Sequence, residues 1–386
     1  MNKLNKIFYG PAGTGKTRSA IKEAVEIVRE SDDTHHLNFL ELDTSNYKGV
    51  TKILKEVSNL PKLDITDENL RKDINNLNIK YEDIIKKKYM GYAKSDLINM
   101  KNNILEYRVY PLIETVTFHP SYSYQDFVEG ISVETTSNNQ IVYKVKDGIF
   151  KKICDRAINN PKYKYVLMID EINRGDISSI FGELFTLLED SKREGEDEEL
   201  SINLPYSKND QGNPRKLIVP KNLHIVATMN TVDKSIALID VALRRRFNFE
   251  ECMPKYNLPE LQQYKDVDLG KLLSTINERI TILKNENYQI GHSYFLKVTN
   301  FEKLKYVMEK DILPLLQEYF YDDWKSICAV LNQNYTKPTD GFLKVKKVNI
   351  KTLFKDDFED LIAYTNQNLF EVNEDFSEQD IIDIYK

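Results

Sequence analysis

Apolar and polar residues along this chain repeat with two different periods, and each change of period marks a boundary between a strand and a helix. Lys6-Ile7-Phe8-Tyr9 is a short apolar run that stops at a glycine-rich turn. Over residues 17–29 the apolar positions are Ala20, Ile21, Ala24, Val25 and Val28, a spacing that predicts an amphipathic helix. Residues 114–119 alternate as a strand does and lead into an aromatic loop, Tyr122-Ser123-Tyr124-Gln125-Asp126-Phe127. Tyr165-Val166-Leu167-Met168-Ile169 is apolar throughout, as strands covered on both faces are. Ile177, Ile180, Phe181, Leu184, Phe185 and Leu188 predict a helix over 177–189. Residues 223–228 form a second buried strand, a helix through Ala237-Leu238-Ile239 follows, and Arg246-Phe247-Asn248-Phe249 alternates as a last strand. Strands separated by helices imply an α/β fold with a parallel sheet of about five strands.

Two regions break this rhythm. From about residue 43 to 111, Lys, Asn, Asp and Ile dominate, and Leu70, Ile74 and Leu77 suggest amphipathic helices, so this stretch reads as a helical insertion. Beyond Pro254 the pattern is helical, through Leu272, Leu273, Ile276, Ile280 and Leu283, then 313–320 and the single tryptophan, Trp324. A small strand element is expected near 342–350. The division expected is an α/β domain over 1–254 and a mostly helical lid and C-terminal domain over 255–386. No internal repeat or low-complexity tract is apparent, and the acidic stretch 194–199 reads as a solvated loop.

Composition narrows the setting. The 386 residues suffice for roughly two or three domains, and 30% charged residues with 23 Tyr and 17 Phe describe a folded chain. A net charge of -6 argues against broad adhesion to nucleic acid while leaving room for a local basic groove. Cys154, Cys252 and Cys328 are far apart and form no CxxC pair, which argues against a zinc or disulfide framework and suggests reduced thiols. No signal-like segment and no run of eighteen apolar residues occurs, so a cytoplasmic protein without membrane contact is expected.

The chemistry begins at the first turn. Gly10, Pro11, Ala12, Gly13, Thr14, Gly15, Lys16 and Thr17 satisfy G-x-x-x-x-G-K-S/T between a predicted strand and a predicted helix. Glycines there let successive backbone N–H groups point at phosphate oxygens, and the helix N-terminus adds favourable partial charge. Lys16 would neutralise the β- and γ-phosphates, and the Thr17 hydroxyl would sit on Mg²⁺. Asp170 and Glu171 close the strongest apolar run, where Asp170 would stand beside Mg²⁺ and Glu171 would polarise an attacking water. The plainer alternative is an acidic strand cap. If the strand ending at Asn230 lies between those of the P-loop and Asp170, its amide reaches the γ-phosphate or the water; otherwise it stabilises a turn. Arg244-Arg245-Arg246 cannot all be buried without partners, so they face solvent or a neighbouring subunit. An arginine supplied in trans to a triphosphate is worth about 10³–10⁵ in rate.

Together GPAGTGKT (10–17), DEINRGD (170–176), ATMNTVDKS (227–235) and ALRRRF (242–247) resemble the McrB family, the GTP-hydrolysing AAA+ motors of McrBC modification-dependent restriction systems. FHPSYSYQDFVEG (118–130), IGHSYF (290–295) and LPLLQEYFYDD (313–323) match as well. DEINR also occurs in MoxR-like ATPases, whereas MNTxD followed by LRRRF discriminates. The resemblance implies an AAA+ fold, Asp170 on Mg²⁺, Glu171 activating water, Asn230 as a sensor and Arg245 or Arg246 as the trans contact. Asp233, the acid of MNTxD, joins the candidate catalytic set. His292 lies where many AAA+ proteins carry a basic sensor residue, with lid packing as the alternative. It further implies a homo-oligomer, in this family a hexamer, a McrC-like nuclease subunit, and DNA engaged through the complex. Relatives that read modified DNA themselves carry a domain before the P-loop. Nine residues precede Gly10 here, so recognition is expected from another subunit, from the insertion, or not at all. GTP rather than ATP rests on the resemblance alone, because the strand-end position of Asn230-Thr231-Val232-Asp233 aims it at the γ-phosphate and not at a base. A MoxR- or dynein-like ATPase that remodels protein complexes is the competing expectation. A nucleotide-gated module with little turnover is a third, and Glu171 weighs against it.

Overall fold

The structure, a computed structural model, describes residues 4–30, 112–135, 139–209, 211–232, 241–261, 264–336, 341–345 and 370–386. The insertion expected at 43–111, the helix expected through 237–239, and Asp233 lie outside these residues.

In chain order the first strands are β1 (Asn5–Gly10), β2 (Ile113–Thr117) and the hairpin β3 (Glu129–Thr135) and β4 (Ile141–Asp147). They are followed by β5 (Tyr165–Asp170), the hairpin β6 (Ile202–Lys208) and β7 (Pro214–Leu217), then β8 (Leu223–Asn230) and β9 (Asn248–Glu251). Five of them form one parallel sheet in the order β2-β5-β8-β1-β9. The strand ending at Asn230 therefore lies between those ending at Gly10 and Asp170. The period-two alternation sorts side chains onto the two faces. Phe8, Val166, Met168 and Val226 meet Ala20, Ala24 and Val28 of helix α1 (Lys16–Arg29). Ile7, Leu167, Ile169, Ile225 and Ala227 pack on the other face with Phe150, Ile153, Phe181 and Leu184.

Three expectations are corrected. The helix expected over 177–189 is two short ones, Ile177–Phe181 and Leu184–Leu187. Gly182 separates them at φ +50, a conformation that ends an α-helix and that glycine adopts without a Cβ penalty. The last strand starts later than the alternation suggests: Arg246 closes the helix Val241–Arg246 and β9 begins at Asn248. The two hairpins β3–β4 and β6–β7 had no counterpart in the sequence reading.

A buried ionic root ties these hairpins together. Glu129, fully buried, accepts from the backbone N–H of Tyr206 and Ser207 at 2.7 and 3.1 Å, from the Ser207 hydroxyl, and from Lys151 Nζ at 3.0 Å. Lys151, on the helix Ile149–Asn159, also donates to Asp147 Oδ1 and Ser207 Oγ, each at 2.6 Å, so its three donors are all used. At the opposite end of the sheet from the P-loop, buried Arg193 donates to Asn5 Oδ1 and to the carbonyls of Pro220 and Leu223.

The C-terminal part has its own apolar core. Leu272, Leu273, Ile276 and Ile280 of the helix Leu269–Leu283 pack against Leu313, Leu316 and Phe320, Ile327 and Cys328, and Ile381 and Ile384. Strand β10 (Leu343–Val345) falls in the region where a strand element was expected and pairs antiparallel with β11 (Phe370–Val372), which lies beyond it. Helical residues 301–320 include a π-turn at Val307–Ile312, one residue ahead of Pro314. Proline has no N–H for the usual i to i-4 bond, and a wider turn absorbs that gap. Among the described residues no helix is long and apolar enough to cross a membrane.

Candidate functional site

Strand β1 delivers the chain to the loop at residues 10–15, and α1 leaves it at Lys16. Gly15 stands at the helix N-cap with φ +85, a left-handed geometry that turns the loop back over the helix start without side-chain strain. No acidic residue lies in the first turn and no side chain caps it, so the exposed N–H groups and the helix dipole favour an anion there. Thr14 Oγ1 donates to the Pro11 carbonyl at 3.0 Å and braces the loop. Lys16, 9% exposed, points across it: Nζ donates to Pro11 O at 2.6 Å and to Asn230 Oδ1 at 3.2 Å.

The adjacent strand tips supply the rest. Thr17 Oγ1 stands 3.5 Å from Asp170 Oδ1, and Thr228 Oγ1 donates to the same oxygen at 2.5 Å. Glu171 follows at φ +52, unusual for a residue with a Cβ, and its N–H donates to Thr228 Oγ1 at 3.1 Å. Its Oε2 is 3.5 Å from Arg174 Nε. Asn173 Nδ2 donates to the Asn230 carbonyl at 2.9 Å, linking the loop after β5 to the end of β8. Lys16, Thr17, Asp170 and Asn230 are thus brought together by three neighbouring strands and one helix start.

The arginine cluster divides. Arg246 is turned inward on its own chain, 2.6 Å from Glu189 Oε1 and over the Phe185 ring. Arg244 lies over Phe249. Arg245 is exposed at the end of the same helix. One of the two arginines suggested for a trans contact therefore has a partner in cis.

The lid segment is stitched onto the loop: Gly291 N–H donates to Ala12 O and Ser293 N–H to Gly13 O, both at 3.0 Å. Between them His292 Nδ1 accepts the Lys255 N–H at 3.2 Å. Burial, with the positive charges of Lys255 and Arg18, pushes the imidazole below its ordinary pKa, so His292 is a neutral bridge between lid and loop. Sequence reasoning missed this stitching, and it missed Thr228 and Asn173. Asn173 was present in DEINR, but no spacing rule pairs it with Asn230.

The residues present fit Mg²⁺. Asp170 and Thr17 offer hard oxygen donors, whereas no cluster of three His, Cys, Asp or Glu exists among the described residues. That suits an ion which takes most of its shell from phosphates and water and only one or two protein ligands.

Residues 90–247 match the AAA domain of the dynein-related subfamily, and residues 268–328 match the alpha-helical lid domain of McrB. Sheet order, P-loop and helical lid thus define the class of protein: an AAA+ nucleoside-triphosphatase. The chain is 37% identical over 230 residues to the "Type IV methyl-directed restriction enzyme EcoKMcrB subunit" of Escherichia coli, covering 55% of this chain and 48% of that one. Together these matches support a McrB-family AAA+ protein. It is also 29% identical over 182 residues to the "Type II restriction enzyme BsuMI component YdiS" of Bacillus subtilis, covering 41% of this chain and 51% of that one. The chain spans about half the length of these curated relatives, 48% and 51%. A solved structure of a putative ATPase from Cytophaga hutchinsonii matches over 60% of each chain at 13% identity, with a TM-score of 0.23.

Proposed function

We propose that this chain is the GTP-hydrolysing motor of a McrBC-like restriction system, active as a ring of copies in the cytoplasm and driving a McrC-like nuclease subunit on DNA. Residues 1–254 would form the nucleotide-binding part and 255–386 the lid. The observation that carries this reading is the convergence of Lys16, Asp170 and Asn230 at three adjacent strand tips. Backbone N–H groups of residues 12–17 would cradle the phosphates, and Lys16 would leave its present acceptors to meet the β- and γ-oxygens. Thr17 and Asp170 would hold Mg²⁺, which when bound would neutralise charge on the phosphates. Glu171 accepts a proton from the attacking water, and Asn230 donates from its amide to the γ-phosphate or that water. Arg245 of a neighbouring copy approaches the triphosphate, while Arg246, paired with Glu189, fixes the helix that presents it. Asp233 stays in the proposed catalytic set on the family pattern MNTxD alone. A hexamer and the preference for GTP over ATP follow from the family.

The test is turnover of GTP and of ATP, with Mg²⁺, in the presence and absence of the product of a neighbouring nuclease-like reading frame. GTP hydrolysis that rises with that partner is the expected result. ATP hydrolysis indifferent to the partner would replace this reading with a MoxR- or dynein-like remodelling ATPase.

A further inference from the structure

Thr228 is 3% exposed and lies on β8, two residues before Asn230. The register explains its contacts: Ile169 pairs with Ala227, which sets the end of β5 beside Thr228. Its hydroxyl accepts the Glu171 N–H at 3.1 Å and donates to Asp170 Oδ1 at 2.5 Å. A hydroxyl has one proton, so the donor goes wholly to the carboxylate while a lone pair serves the backbone of the next residue. One buried side chain thereby fixes both the orientation of the Asp170 carboxylate and the left-handed backbone at Glu171. With Oδ1 engaged by the hydroxyls of Thr17 and Thr228, Oδ2 accepts from no described residue.

We propose that Thr228 is a positioning residue that holds Asp170 in its metal-binding rotamer and Glu171 in its water-facing conformation, acting on the reaction through both without touching substrate. This rests on the reading of Asp170 as the metal ligand. Partners of this kind around a metal site affect metal affinity or activity by roughly 10–100-fold. A role in packing alone predicts something different, because valine has nearly the shape of threonine and would replace it.

The experiment compares Thr228→Val with Thr228→Ser, each checked for folding by thermal melting. Mn²⁺ is titrated, with spectroscopic detection of the bound ion, into protein loaded with the γ-thio analogue of whichever nucleotide is turned over. Thr228→Val is expected to raise the Mn²⁺ midpoint at least tenfold, and Thr228→Ser to restore it to within about threefold of wild type. Affinity for the same analogue in EDTA should stay within about twofold, since the loop amides do not involve Thr228. A folded valine variant that binds Mn²⁺ like wild type, or a folded serine variant as impaired as valine, overturns the inference. If valine destabilises β8, Thr228→Cys carries the same comparison, its thiol being a poor donor. Lys16→Ala separates the two layers of the argument. If it leaves analogue binding intact, the nucleotide-site reading fails; if it abolishes binding while Thr228→Val keeps normal Mn²⁺ affinity, only the inference about Thr228 fails.

Discussion

Glu171 leaves the sheet at φ +52, and Thr228 holds its N–H there while Arg174 stands 3.5 Å from its carboxylate. Glu171→Gln preserves size and backbone preference but removes the proton acceptor. Expected is nucleotide binding close to wild type, by calorimetry, with phosphate release slowed about 10²–10⁴-fold; equal rates would remove Glu171 from the mechanism. His224, on β8, illustrates a different use of burial. Desolvation, reinforced by Lys164 and Arg193, pushes its pKa down to about 4. The unfolded chain takes up that proton near 6.5 whereas the folded chain stays neutral to about 4, so stability falls as pH drops through this window. Thermal midpoints at pH 7.5 and 5 should differ less in His224→Gln than in wild type. Parallel slopes would assign the pH dependence to other groups. The contiguous P-loop and the paired acids Asp170 and Glu171 were legible because each is a local string. Thr228 was not, because its contact is created by the register between β5 and β8, which no spacing within one strand reveals.

Strands β5 and β8 declared themselves through unbroken apolar runs, since both are covered on both faces. The hairpin β3–β4 breaks that rule. Ile131, Val133, Ile141, Tyr143 and Val145 are exposed, so its apolar positions carry no core signal. What anchors it is the Glu129–Lys151 pair, a non-local contact. The Glu129 carboxyl loses solvation on burial, but hydrogen bonds from Ser207, Tyr206 and Lys151 outweigh this and hold its pKa below the ordinary carboxylate range. A depressed carboxyl pKa gives stability that is complete above the unfolded value and lost as pH falls through the folded one. Glu129→Gln should destabilise the chain by about 1–3 kcal/mol, because it removes one of the two carboxylate partners of the buried Lys151 ammonium, which keeps Asp147. Removing both charges, as Glu129→Gln with Lys151→Met, should cost less than the two single changes together. Urea denaturation of the four proteins gives the coupling directly, and strict additivity would deny the pair its role as the root of the hairpins.

Across the whole molecule, a parallel sheet of about five strands and a helical lid were readable from the change of period along the chain, whereas the strand order was not, because pairing between distant strands leaves no periodic trace within any one of them. The contact proposed between copies is a separate question, and here the single chain gives a specific handle. Arg246 is paired with Glu189 on its own chain, while Arg245 is exposed at the end of the same helix, which makes Arg245 the arginine to test for a contact in trans. If a catalytic arginine is supplied in trans, each active site draws Glu171 from one copy and Arg245 from the next. Arg245→Ala alone then empties every site of its guanidinium, with a loss of about 10³-fold or more, and Glu171→Gln alone empties every site of its base, with a loss of about 10²–10⁴-fold. In a mixture, a subunit with alanine at 245 that sits beside one with glutamine at 171 owns an intact Glu171 and receives an intact Arg245. Some sites are thereby restored, so phosphate release should rise with mixing to a maximum near equal proportions. An arginine acting within its own chain allows no such site at any ratio, and a flat response across the series would place Arg245 in cis or outside the reaction.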